Sequence, residues 1–179
     1  MHDTGFAPCI EDEVLSLCCC KPKIRSSAKV GDYIVAFYGK SQPRKKFGHS
    51  LAYIAKITGK MDFRKYYELH KGRTDCIYKS CKGDGLEQIP NEFHDENHKK
   101  TDLGGGYCLV SDDFVFFGEK NMKMPEEYLG MIAGRGHNVT KNNQFKKTFP
   151  RYFENLSRGK LGQHIHLRRR KRKRSDIMD

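Results

Sequence analysis

Seven cysteines and eight histidines are the residues best equipped for chemistry in this chain of 179. Four of them, Cys76, Cys81, His94 and His98, stand at spacings that fit a zinc-finger template. A finger also needs an aromatic residue and a leucine between its ligand pairs, and a helix carrying both histidines. Gly85 and Asn91 occupy those core positions and Pro90 precedes the ligand helix, so the expectation is no bound metal. Zinc on those four residues is the alternative. Cys18, Cys19 and Cys20 are consecutive and run into Lys21 and Lys23. Cations lower a thiol pKa, which would make Cys20 a nucleophile. No histidine or carboxylate stands nearby in a recognisable catalytic order, so the three read as small buried residues at a strand end. Asp84, His94 and His137 are the acid/base candidates, because such side chains move protons near neutral pH.

The other chemistry is cationic. Lys21, Lys23 and Arg25 fall within five residues around Pro22, and a guanidinium offers paired donors to a phosphate or a base edge. Gly134-Arg135-Gly136-His137 joins two permissive glycines to a cation and an imidazole. The run Arg168, Arg169, Arg170, Lys171, Arg172, Lys173 and Arg174 is unbroken. Adjacent like charges repel, so the segment is expected to be disordered when free and to bind nucleic acid by counterion release. In a nucleated host it would also act as a nuclear localisation signal, which points to a virus of such a host or a eukaryotic setting. The whole chain carries +12, but without that run 27 basic residues face 22 acidic ones, leaving +5.

The elements that must position these groups are short. Val14 to Cys20 is an apolar stretch, strand or buried turn, which Pro22 interrupts. Strands are predicted over Tyr33 to Tyr38, Ser50 to Thr58, Tyr107 to Val110 and Phe114 to Phe117. Asp62 caps a helix that carries Phe63, Tyr66 and Tyr67 and ends near Gly72. Pro125-Glu126-Glu127 opens a second helix, and a third runs from Thr148 or Phe149 to Leu156. Residues 73–106 read as one long ordered loop, a length that implies function. The sum is an α+β domain over residues 1–162, a small, strongly bent mixed sheet or partial barrel with about three short helices, followed by a disordered basic tail over 163–179. No apolar run is long enough to span a membrane. The odd number of cysteines, three of them adjacent, points to an intracellular, reducing compartment.

Several motifs in order carry a family resemblance. They are Asp3-Thr4-Gly5-Phe6-Ala7-Pro8, Cys20-Lys21-Pro22-Lys23-Ile24-Arg25, Ala28 to Val35, Gly83-Asp84, Gln88, His94, Val110 to Gly118, and Gly134-Arg135-Gly136-His137. The sequence resembles the nucleotide modification associated domain family, second type, from about residue 3 to about residue 160. The resemblance implies a place in systems that hypermodify DNA bases. A looser likeness links Val30 to Val35, Leu51 to Thr58 and the Tyr-rich helix to PUA-like domains, including readers of modified bases.

The leading expectation is therefore a binding module that holds a nucleotide or modified base and grips DNA through its tail. Phe6, Tyr33 and Tyr38 would stack the base, while Lys21, Arg25, Gln88 and Arg135 would bind its polar groups. Arg25 and Arg135 should share a cavity with Phe6, Asp84 and His94 nearby. The first alternative is an enzyme acting on a nucleotide or modified base, and a zinc-stabilised interaction protein is the second. The enzyme reading requires one of Asp84, His94 or His137 to lie within hydrogen-bond reach of another titratable group in a closed pocket.

Overall fold

The computed structural model describes residues 5–38, 50–83, 85–120, 122–132 and 136–165. Two sheets form the α+β body. In the first, β1 (Cys9–Glu11), β2 (Val14–Leu17), β8 (Cys108–Ser111) and β5 (Gly59–Met61) lie side by side, all antiparallel. In the second, β4 (Ser50–Lys56) is the central strand. It pairs antiparallel with β3 (Tyr33–Phe37), β9 (Asp113–Phe116) and β10 (Met122–Lys123), while β11 (Gly159–Lys160) pairs parallel with β9. A separate hairpin joins β6 (Tyr78–Ser80) to β7 (Leu86–Gln88). The expected mixed α+β class is present, but as several small sheets, and the strand order given for the described residues does not close into a barrel.

Three hydrophobic clusters hold these layers together. β4 is buried along almost its whole length, as a strand covered on both faces must be. Ala52, Tyr53 and Ala55 pack towards Leu15, Leu17, Leu109 and Phe114. Leu51 and Ile54 pack towards Phe149 and Phe153 of α4 (Asn143–Glu154). The third cluster places Phe63 and Tyr66 of α2 (Phe63–His70) against Phe6, Cys19, Tyr78 and Cys108. Asp62 caps α2 as expected, accepting from the Lys65 amide at 2.8 Å.

Several boundaries differ from the sequence expectation. Pro22 does not merely interrupt a strand; it opens α1 (Pro22–Ser27), where its missing N–H costs nothing. α4 begins at Asn143, capped by the Asn142 side chain, and runs through Pro150. A proline inside a helix is unfavourable by about 3 kcal/mol. Here the aromatic face of Phe145, Phe149, Tyr152 and Phe153, packed against the sheet, outweighs it. Residues 73–106 are not one loop: they hold β6, β7 and α3 (Glu96–Leu103). Their apolar anchors are few because polar side chains organise the segment. Packing also reaches past residue 162, with the Glu119 amide donating to the Gln163 carbonyl at 3.1 Å and the His164 ring 4.5 Å from Phe116.

That last turn requires glycine. A Cβ built on Gly162 would lie 2.1 Å from the Phe117 carbonyl oxygen, and one on Gly118 would lie 2.2 Å from that of Gln163. Both obstacles are backbone and cannot rotate away. Gly162→Ala should therefore lower stability by about 2–3 kcal/mol, the upper part of the common range for single substitutions, in a urea melt. An unchanged midpoint would contradict the close approach.

A thiol, an imidazole and a buried carboxylate as the candidate active site

Residues 18–20 end β2, and their three thiols go three ways. Cys18, next after the Leu17–Leu109 pair, is joined to Cys108 by a disulfide. The adjacency that seemed to bar pairing is no obstacle, since successive side chains on a strand face opposite ways. Cys19 is fully buried and its thiol donates to the Asp75 carbonyl at 3.6 Å. Cys20 stands in a left-handed turn, at φ 57°, followed by Lys21 at φ 44°. A β-carbon makes that conformation cost roughly 1–2 kcal/mol per residue. The strain turns the Cys20 side chain off the strand and towards His94.

His94 Nε2 lies 3.3 Å from Cys20 Sγ, and His94 Nδ1 lies 2.5 Å from Asp102 Oδ2. Asp102 belongs to α3 and is fully buried. Its Oδ1 accepts from the Cys20 amide at 2.9 Å, and its Oδ2 also accepts from the Tyr78 hydroxyl at 3.0 Å. Tyr78 is held above its ordinary phenol range by burial and by Asp102, so it remains a donor. The His94 backbone is fixed by Asn91, whose Oδ1 accepts from the His94 amide at 2.7 Å and the Phe93 amide at 3.0 Å. The His94 ring rests on Phe6 and stacks on His98, with centroids 4.7 and 4.6 Å away.

Arg25 fastens the turn from behind. Its guanidinium is fully buried and donates from Nε to the Cys20 carbonyl at 2.7 Å and from Nη1 to the Tyr107 carbonyl at 2.6 Å. Nη2 donates to the Asp102 carbonyl. Gly105 lets the guanidinium lie against the backbone, since a Cβ there would sit 2.6 Å from Arg25 Cζ.

The sequence-derived ligand set is thereby revised. Arg25 is a buried clamp on three carbonyls and does not face an open cavity. Phe6 is buried and stacked on Phe93 at 4.7 Å, so it supports His94 and is not presented for base stacking. Tyr33 makes edge contacts with Phe149 and Phe153, and Tyr38 lies in the core. Gln88 borders the site, and its Nε2 donates to the His94 carbonyl at 3.3 Å. Lys21 is exposed beside Cys20, and His137 is exposed in the coil before α4. Asp84, Arg135 and Arg168 to Arg174 lie outside the described residues. The proposed zinc set does not assemble. Cys76 is buried in the core, Cys81 is exposed, and His98 serves the capping box of α3 with Asp95. Among the described residues, one group of potential ligands gathers, namely Cys19, His94 and Asp102.

The Cys20 thiol is pushed above its ordinary value, chiefly by burial and then by the Asp102 charge; Lys21 and Arg25 pull it down and are outweighed. The expectation that neighbouring lysines would lower it is overturned for that reason. The resting group is a neutral thiol, so its ionisation needs a base, and His94 is the base in reach. Next to it opens a cleft of about 500 Å³ lined by Gln88, Pro90, Asn91, Glu92, Phe93 and His94 among others. That volume suits a small-molecule or nucleotide-sized group. Sequence reasoning found His94 but missed Asp102, which lies in the segment taken for a loop. It also rejected Cys20, whose partner stands 74 residues away.

Within the α+β body, thiol, imidazole and buried carboxylate stand in one hydrogen-bonded line, an arrangement that can activate a sulfur nucleophile. The chain belongs to the nucleotide modification associated domain 2 family, whose profile matches residues 1–171. Comparisons with curated proteins and with solved structures find no match. Among the described residues, no helix is long and apolar enough to cross a membrane.

The buried thiols make the fold sensitive to alkali. Cys9 and Cys19 are both held well above the ordinary thiol range, first of all by burial. In the unfolded chain they ionise near pH ~8.5. Above that, the unfolded state loses protons that the folded state keeps, so stability falls as pH rises, by about 1.4 kcal/mol per pH unit for each thiol. Denaturant melts from about pH 8 to about 10 should show the decline, and Cys9→Ala should remove one thiol's share of the slope.

Proposed function

We propose that this protein is a thiol enzyme of a nucleotide modification system, forming and breaking an acyl bond on a modified base or its nucleotide precursor. The observation that carries the reading is the line Cys20–His94–Asp102, with Asp102 held by the Tyr78 hydroxyl and its peptide held by Arg25. The family supplies the nucleotide context. Of the readings open from the sequence, this supports the enzyme over the binding module. The aromatic groups and the Arg25 guanidinium that a binding pocket would have used are occupied in packing, while His94 has two titratable partners.

The step follows from the geometry. His94 Nε2 takes the proton of Cys20 Sγ as the sulfur attacks the carbonyl carbon of an amide or ester. The imidazolium is stabilised by the Asp102 carboxylate at Nδ1. As the C–N or C–O bond breaks, His94 returns the proton to the leaving group, and an acyl thioester remains on Cys20. Water or an amine, deprotonated by His94, then attacks the thioester, and the sulfur leaves and regains its proton. General base catalysis of this kind contributes roughly 10²–10⁴-fold. The cleft beside His94 receives the nucleotide or base, and the looser PUA-like likeness fits the same use.

The test uses intact mass measurement of the protein with nucleosides and oligonucleotides carrying amide- or ester-linked base substituents. An acyl adduct should appear on Cys20 and vanish in Cys20→Ala. His94→Ala should slow both adduct formation and Cys20 alkylation by iodoacetamide by about 10²-fold or more. Alkylation at the same rate in His94→Ala would overturn the reading.

The run from Arg168 to Arg174 belongs to the proposal as the grip on nucleic acid. Deleting it should weaken binding to any duplex and flatten the dependence of log K on log salt by up to ~6 units for seven phosphate contacts. A binding titration across salt concentrations checks this, and an unchanged slope would remove the tail from the account.

A further inference from the structure

We propose that the cleft takes its substrate by the nucleobase, stacked on His98, and keeps phosphates outside. The inference rests on the reading of the cleft as the place where substrate enters. A series of aromatic rings stands in and behind its wall. Phe93 stacks on Phe6 with centroids 4.7 Å and planes 12° apart, Phe6 supports the His94 ring at 4.7 Å, and His94 stacks on His98 at 4.6 Å and 21°. From the buried Phe6 the contacts lead outwards through His94 to His98, whose side chain is 51% exposed. His94 and His98 both line the cleft. The His98 ring is also held in place. Its Nδ1 stands in the capping box of α3, 2.8 Å from Asp95 Oδ1 and 3.3 Å from the Asp95 amide. One face lies against His94 and one edge against Asp95, and the exposed remainder can continue the stack with a planar base. A ring already fixed loses little freedom when a ligand settles on it.

The charge of the wall decides which end of a nucleotide enters. Glu92, Asp95 and Glu96 line the cleft, and among the described residues no lysine or arginine does, in a chain whose net charge is +12. Asp95 is engaged by His98 and Asn97, and Glu96 lies 3.7 Å from Lys99, which tempers the negative sign without reversing it. A phosphate in this cleft would be repelled, whereas an uncharged base would not. A base on His98 lies one ring beyond the imidazole that meets Cys20. That placement suits a substituent on the base, and not the base itself, as the reacting group.

Adenosine is the probe, because it carries no phosphate for the basic tail to grip. Calorimetric titration of the full chain should show one site. His98→Gln removes the ring but can keep the capping box, and should weaken adenosine binding about tenfold, the scale of a lost base stack. His98→Phe keeps a ring face but loses the cap, and should bind within about threefold of the wild type. A residue needed only for the cap would give the opposite order. In competition, adenosine 5′-triphosphate should displace adenosine only at about tenfold higher concentration or more, and added salt should narrow that gap. Absence of adenosine binding, a wild-type affinity in His98→Gln, or equal competition by the triphosphate would overturn the proposal. If adenosine binds in this pattern but no acyl adduct forms on Cys20, the acyl-transfer reading fails and base stacking stands. If the adduct forms and adenosine binding is indifferent to the ring at residue 98, the reverse holds.

Discussion

The burial of one carboxylate, Asp102, organises the candidate site. A charge without water costs several kcal/mol unless its oxygens are met by donors. Asp102 collects three: the Cys20 amide, the Tyr78 hydroxyl and the His94 ring. Each comes from a different part of the fold, namely the turn before α1, β6, and the coil before α3. Satisfying the carboxylate therefore brings these three segments to one point. The disposition of Cys20 and His94 follows from the same requirement, since both are donors to Asp102. Arg25 completes the arrangement by fastening the Cys20 and Asp102 carbonyls to one guanidinium.

A second buried carboxylate supports the first from the other side of the cysteine run. Asp75 accepts from Ser16 Oγ at 2.7 Å and from the Tyr66 hydroxyl at 2.8 Å, with Arg73 Nε 3.8 Å away. Burial pushes its carboxyl up, while those donors and Arg73 pull it down. Arg73 in turn donates to the Val14 carbonyl and to Ser16, which ties α2's exit to β2. The Cys18–Cys20 segment thus runs between two buried acids. Cys19 meets the carbonyl of one, and the Cys20 amide meets the side chain of the other. A turn pinned at both ends can keep two consecutive left-handed residues, because relaxing the strain would break several buried hydrogen bonds.

The elements built on apolar periodicity were legible in the sequence. β3, β4, β9 and the Asp62-capped α2 stand close to their expected bounds, because burial of alternating or helical faces writes itself into residue order. The segment 73–106 was not legible for the opposite reason. Its organisers are polar: Asn91 and Asp95 hold local turns and the start of α3, while Asp75 and Asp102 have partners far along the chain. Asp75 meets Ser16 across 59 positions and Asp102 meets Cys20 across 82. Composition alone marks such a stretch as loop. His94 was visible as a titratable residue and the length of the segment as a sign of function. The third member of the site had no local signal, and a Cys–His pair separated by 74 positions follows no spacing rule.

The three adjacent cysteines explain why Cys20, and not a neighbour, is the thiol that meets His94. Along a strand, side chains alternate, so Cys18 reaches its neighbour Cys108 while Cys19 points into the core. The strand ends there. Had the extended backbone continued, Cys20 would have faced the same side as Cys18 and packed against the sheet. The left-handed turn at Cys20 and Lys21 breaks the alternation, and Pro22 then commits the chain to α1. The sulfur is left at the strand's end, against the His94 imidazole that borders the cleft. Burial holds it as a thiol, so it resists adventitious oxidation and alkylation better than a resting thiolate would. In the proposed reaction the neighbouring imidazole draws off its proton as the substrate carbonyl arrives. A protonated resting state with a base already in contact is what the proposed reaction asks of a half-buried cysteine.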